Sequence, residues 1–213
     1  MKTPQLSMRI GFDFDNTIVN YDELFYQVAI EQSLIPADVP RSKLAVRDYL
    51  RKNDQENAWT QLQGYVYGAR MGDAVAYPGA IEFMKLAGKN GIAMVIVSHK
   101  TKHPFMGPKY DLHEAARGWI ENNLTNGTDN LIAPELIFFE LTKKEKIARI
   151  TQCECDYFID DLPEILLMSG FPEKTEPVLF DPENSHAGER IGSRFKSWQE
   201  IRTVFEMKWK LCN

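Results

Sequence analysis

The sequence predicts an α/β protein: a Rossmann-like, parallel five-stranded sheet flanked by helices, with a small α-helical subdomain inserted into it. Three observations lead there. Five short apolar runs recur: RIGFDF (9–14), IAMVIVS (92–98), ELIFFE (135–140), DYFID (156–160) and EPVLF (176–180). Turn residues and then a segment of helical periodicity follow them, and strands alternating with helices are the pattern of a parallel sheet. The alternation lapses once, from Val19 to about Tyr77, where no strand pattern occurs.

Each element has its own justification. The runs are apolar almost throughout rather than at alternate positions, as burial on both faces of a parallel sheet requires. The helix 78–91 (PGAIEFMKLAGKNG) opens on Pro and closes on Gly, residues suited to the two ends of a helix. Helical periodicity also marks 111–124, 143–153, 162–170 and 197–210. Within the lapse, YDELFYQVAIEQ (21–32), SKLAVRDYLRK (42–52) and NAWTQLQGYVYGARM (57–71) read as helices joined through IPADVP (35–40). The division expected is therefore a core of 1–18 and 78–213 around a helical insert of 19–77. The insert's aromatics, Tyr21, Phe25, Tyr26, Tyr49, Trp59, Tyr65 and Tyr67, read as helix packing rather than a stacking platform.

The 213 residues are 44% apolar and 26% charged, with a net charge of −5, which is material for a real core. Mild acidity without a long basic run argues against a nucleic-acid partner held by counterion release. The apolar stretches are strand-sized, and MKTPQLS (1–7) lacks the apolar block of a signal peptide, so no membrane partner is expected and the chain is placed in the cytoplasm. Monomer and dimer are equally compatible with the sequence. Cys153, Cys155 and Cys212 are odd in number and lack a second ligand pair at metal spacing, and they read as reduced structural thiols.

In an open parallel sheet, ligands gather outside the carboxyl ends of the strands. Asp13 and Asp15 fall at one such end, Ser98 at the next, Lys143, Lys144 and Lys146 just after the third, and Asp160 with Asp161 at the fourth. Carboxylates packed together would hold protons at neutral pH unless a cation compensates them, and hard oxygen ligands select Mg²⁺. Such an ion keeps open coordination for a phosphate oxygen, and one carboxylate can then attack phosphorus.

With these residues in view, the chain resembles the haloacid dehalogenase (HAD) superfamily of aspartate-nucleophile hydrolases and phosphotransferases. DFDNT (13–17) is similar to its first motif, VIVS (95–98) to its second, TKKEK (142–146) to its third and FIDD (158–161) to its fourth. The resemblance implies that Asp13 is the nucleophile forming an aspartyl-phosphate and that Asp15 protonates the leaving oxygen and then activates water. It implies that Thr17 and Ser98 donate to the phosphoryl group. It also implies that Asp13, Asp161 and the backbone carbonyl of Asp15 hold the metal, with Asp160 in support. Phosphate is held by a lysine, and Thr142-x-x-Glu145 reads as a capping box that puts Lys143 and Lys146 on one face, so both remain candidates.

Asp15 separates the chain from the metal-free dehalogenases and points to phosphate chemistry. Asn16 stands where many members have Gly. The insert falls where the family carries a type-one cap, and its small size suits a small phosphorylated substrate, a sugar phosphate first. A nucleoside monophosphate, a phosphomutase reaction and a non-catalytic binding role are the alternatives. Residues 99–111 gather cations, and His99 and Lys100 are the candidates there for attracting an anionic substrate.

Overall fold

The computed structural model describes residues 8–212, so the expectation about MKTPQLS (1–7) lies outside the described residues. Six strands form the central sheet: β1 (Arg9–Phe12), β2 (Ala93–His99), β3 (Ile137–Glu140), β4 (Tyr157–Asp160), β5 (Glu176–Phe180) and β6 (Ser193–Phe195). Their order is β6-β5-β4-β1-β2-β3, and every pairing is parallel. The five expected runs supply the first five strands. The sixth corrects the expected count: Ser193–Phe195 is a three-residue edge strand, half-buried along its length, and too short to show an apolar run.

Strand order reverses around β1. The chain moves from β1 through β2 to β3 on one side and returns to lay β4, β5 and β6 on the other. The crevice at such a reversal lies beyond the carboxyl ends of β1 and β4. Asp13 follows the first of these strands and Asp160 ends the second.

One face of the sheet buries Val95, Val97, Phe158 and Leu179 with Ile147 and Ile150 from a helix at Lys143–Gln152 and with Ile165 and Leu166 from a short helix at Pro163–Leu166. The helical pattern expected over 162–170 therefore ends early, where Leu167 is exposed and Gly170 takes φ 93°. Aromatic rings form a second cluster. Phe83, from a helix at Ala80–Lys89, meets Phe12, Trp198, Phe205 and Trp209 at centroid distances of 5.4–6.3 Å. Trp198, Phe205 and Trp209 belong to the last helix, Trp198–Cys212.

Backbone contacts divide the chain into two compact units. The core unit holds the described residues up to Ile18, Ala76–His99 and everything from Leu124 onward. The helical unit holds Val19–Val75 and Lys100–Asn123. Its helices are Asp22–Glu31, Lys43–Lys52, Glu56–Tyr67 and Leu112–Asn123. The second segment joins through Trp119, whose buried indole N–H donates to the Ala74 carbonyl at 2.8 Å. Tyr21, Phe25, Trp59 and Tyr67 pack ring against ring at 4.9–6.4 Å, the helix packing expected of them. No helix among the described residues is long and apolar enough to cross a membrane. Cys153 is a half-buried free thiol and Cys155 a buried one.

Candidate active site

Asp13 is carried one residue past β1, and its backbone N–H donates to the Ile159 carbonyl of β4 at 2.8 Å, so the strand pairing itself sets the start of the loop. The chain then turns sharply. Asn16 takes φ 59°, a left-handed conformation that Asn tolerates better than most side chains, and this gives a physical reason for Asn or Gly at that position. The Ile18 N–H returns to the Phe14 carbonyl at 3.1 Å, which brings the Thr17 side chain back toward Asp13.

Three other elements deliver side chains to the same point. Ser98, near the end of β2, donates its hydroxyl to Asp13 Oδ1 at 2.9 Å. Thr142 caps the helix Lys143–Gln152: its hydroxyl accepts from the Glu145 N–H at 3.1 Å and donates to the Glu145 carboxylate at 2.9 Å. Thr142 is thus the N-cap that the Thr142-x-x-Glu145 spacing predicts, and Lys146 lies one turn into the helix. The Lys146 ammonium donates to Asp13 Oδ1 at 2.6 Å and to Asp160 Oδ2 at 2.5 Å. Asp160 Oδ1 accepts the Leu162 N–H at 2.9 Å, so both of its oxygens are engaged.

The Thr17 hydroxyl lies 3.4 Å from Asp13 Oδ2 and 3.3 Å from Asp161 Oδ1, and it accepts the Asp161 N–H at 3.1 Å. Its one proton can serve only one of the two carboxylates at a time. Asp13, Asp160 and Asp161 each offer a carboxylate oxygen within 4.8 Å of the others. The Asp15 carboxylate is not among these three.

The electrostatics of the group are unbalanced. Burial is the largest influence on Asp13 and pushes its carboxyl up to about 6; Lys146 opposes this, and the charges of Asp160 and Asp15 add to it. Lys146 is 1% exposed, and burial opposes its charge, but Asp13 and Asp160 outweigh that and hold the ammonium above its ordinary value. One ammonium, bound to Asp13 and Asp160, thus serves a group of three carboxylates. A hard divalent cation fits this donor set, since Asp13 and Asp161 present oxygen ligands whose mutual repulsion it would relieve.

The two candidate lysines part company. Lys143 pairs with Glu164 at 2.7 Å on the surface, while Lys146 sits among the carboxylates. His99 meets the Leu141 carbonyl through Nε2 at 3.1 Å. Lys100, 5% exposed, lies in the helical unit with its ammonium 4.8 Å from the centre of the Tyr67 ring. In the same loop, Lys102 pairs with Asp111 at 3.6 Å, and His103 Nδ1 lies 2.9 Å from the Tyr110 carbonyl. Sequence reasoning does not single out Trp198, whose indole N–H donates to the Thr17 carbonyl at 3.1 Å. The legible signal is the spacing Ser197-x-x-Glu200 ahead of an apolar helical face.

No family model matches the chain. A curated protein of Oceanobacillus iheyensis named "Putative nucleotidase OB0422" is 22% identical over 201 residues, which cover 91% of this chain and 97% of that one. A haloacid dehalogenase-like family hydrolase of Streptococcus pneumoniae superposes with a TM-score of 0.57 at 13% identity, over 93% of this chain and 98% of that one. A HAD family hydrolase of Deinococcus radiodurans, solved with bound phosphate and sodium, superposes at 0.55 with 16% identity, over 94% and 96%.

Proposed function

We propose that this chain, which has the haloacid dehalogenase fold, is a Mg²⁺-dependent phosphomonoester hydrolase acting on a small phosphorylated metabolite through an aspartyl-phosphate on Asp13. The observation that supports this most is the unequal treatment of the two Asp13 oxygens. Oδ1 is bound by Ser98 and Lys146, whereas among the described residues Oδ2 is met by the long contact to Thr17, beside Asp161. A carboxylate held so firmly in one orientation is prepared to attack an adjacent electrophile through an oxygen.

In the first half-reaction an Asp13 oxygen forms a bond to phosphorus as the ester oxygen leaves, and Asp15 gives that oxygen its proton. In the second, Asp15 takes a proton from water, the water oxygen attacks phosphorus, and the bond to Asp13 breaks to release phosphate. Thr17, Ser98 and Lys146 donate to the phosphoryl oxygens as charge builds on them. Asp160 keeps the Lys146 ammonium in place. Mg²⁺, held by the Asp13 and Asp161 carboxylates and the Asp15 carbonyl, would supply the positive charge that the three acids lack.

The 19–77 insert is read as the cap, and its small size supports a low-molecular-weight ester such as a sugar phosphate. A nucleoside monophosphate is the second reading, favoured by the name of the Oceanobacillus relative. The test is phosphate release from a panel of sugar phosphates and nucleoside monophosphates, with and without MgCl₂, beside an Asp13→Asn variant. Magnesium-dependent release by the wild type alone supports the reading. No release from any ester, or equal release by Asp13→Asn, overturns it.

A further inference from the structure

The loop that carries Asp13, Asp15 and Thr17 is pinned at its far end from the other end of the chain. The Thr17 carbonyl accepts the Trp198 indole N–H at 3.1 Å, and the next carbonyl, that of Ile18, accepts the Tyr77 N–H at 2.8 Å. Trp198 is 1% exposed, and a buried indole N–H without a partner is destabilising, so this bond has few alternatives. Its ring is fixed by Phe12, Phe83 and Phe180 at 5.4–6.1 Å. Gly79, at φ +89°, lets the backbone pass close beside it, since a Cβ there would stand 3.2 Å from Trp198 Cβ.

The local sequence sets Trp198 in place as well. The Ser197 hydroxyl accepts the Glu200 N–H at 3.2 Å, and the Glu200 carboxylate accepts the Lys196 N–H at 2.7 Å. This reciprocal arrangement starts the last helix at Trp198 and fixes the direction of the indole. The side chain of Thr17 meanwhile reaches Asp13 and Asp161.

We infer that Trp198 is a positioning residue of the reaction: its indole N–H holds the Thr17 carbonyl, and thereby the hydroxyl that meets the transferring phosphoryl group. This rests on the hydrolase reading given above. Trp198 touches no reacting atom; it narrows the range of positions open to the Thr17 hydroxyl, which matters most where hydrogen bonds tighten in the transition state. Its loss should therefore appear in kcat rather than in KM.

The test compares Trp198→Phe with Phe83→Leu in the full chain, using the ester that the wild type turns over fastest. Phe83→Leu removes ring packing around Trp198 and leaves the N–H in place. Both variants should lower Tm. Only Trp198→Phe should lower kcat, by about tenfold, with KM within about twofold, as expected when one hydrogen bond that matters in the transition state is lost. Should Trp198→Phe fail to fold, replacing Trp198 by 3-benzothienylalanine keeps the bicyclic shape with sulfur in place of N–H, and the same fall in kcat is expected. Equal losses of kcat in the Trp198 and Phe83 variants, or an unchanged kcat once the N–H is gone, overturns the inference while leaving the hydrolase reading intact. A wild type that releases no phosphate overturns both.

Discussion

Lys146 Nζ lies 2.6 Å from Asp13 Oδ1 across 133 residues of sequence, with both side chains buried. The contact joins the first turn of a helix to the loop after the central strand, and Asp160 completes it from the neighbouring strand. Removing the ammonium leaves two buried carboxylates facing each other and, on the hydrolase reading proposed above, deprives the phosphoryl group of its lysine. Lys146→Met should therefore lower kcat by about 10²–10³. Lys143→Met, which breaks only a surface pair with Glu164, should change it by less than about threefold. Steady-state phosphate release from both variants checks this, and a Lys143 variant more damaged than the Lys146 variant would reverse the assignment.

Asp161 supplies a carboxylate oxygen to the group, beside Thr17, and on the reading proposed above it is a ligand of the metal. Wild-type Tm should climb with MgCl₂, because an ion that binds the folded state stabilises it by mass action. Asp161→Asn should need at least the roughly tenfold more Mg²⁺ that loss of even an outer partner demands. Thermal melts across a MgCl₂ series read this without any substrate. Superimposed curves for the two proteins would remove Asp161 from the metal site.

What could be read in the sequence follows from what burial does to composition. β1, β2, β4 and β5 are inner strands, and burial keeps their runs apolar; of the two half-buried edges, Ile137–Glu140 still carries Ile and two Phe, whereas Ser193–Phe195 is too short and too polar to show such a mark. Lys143 and Lys146 share a helix face, and spacing alone does not separate them. Depth does, since Lys146 is followed by the buried Ile147, and Lys143 has Glu164 within reach at the surface. The amphipathic stretch Leu112–Asn123 was legible as a helix but not as part of the helical unit, because an apolar stripe does not name the surface that covers it. The indole of Trp198 illustrates the same limit: the capping spacing announces a helix start, and only the packed rings show where its N–H points.

Asp181 offers a stability test away from the reaction. Its carboxylate accepts the Ser185 N–H at 2.8 Å, the His186 N–H at 3.0 Å and the Arg194 guanidinium at 2.8 Å. Burial alone would raise its pKa, but Arg194 and the two backbone donors outweigh burial and hold it below the ordinary value. A carboxylate depressed in the folded state contributes stability that is fully present above its unfolded pKa, near 4, and is lost as pH falls through the folded value. Asp181→Asn should thus be less stable than wild type by a constant margin above roughly pH 5, and the margin should shrink below roughly pH 4. Urea midpoints measured across that range give the answer; a margin that widens in acid would contradict the assignment.

Gly11 sits opposite Phe158 in the register of β1 with β4, and the Phe158 ring leans over the space a side chain would need. A Cβ at Gly11 would stand 2.5 Å from Phe158 Cδ2 and 2.8 Å from Cys155 Sγ. Neither neighbour is a flexible surface tip: Phe158 is fully buried, with the Lys146 ammonium 5.6 Å from its ring centre. Gly11→Ala must therefore displace either the ring or the strand, and overpacking of this kind costs about 1–3 kcal/mol. Moving Phe158 disturbs Lys146, while moving β1 carries Asp13 with it, so kcat should fall along with the denaturation midpoint. Adding Cys155→Ala removes one of the two close contacts and should recover part of the midpoint. A Gly11→Ala protein with an unchanged midpoint would mean that the ring yields freely, and the rigid seating of Asp13 beside Lys146 would then need another source.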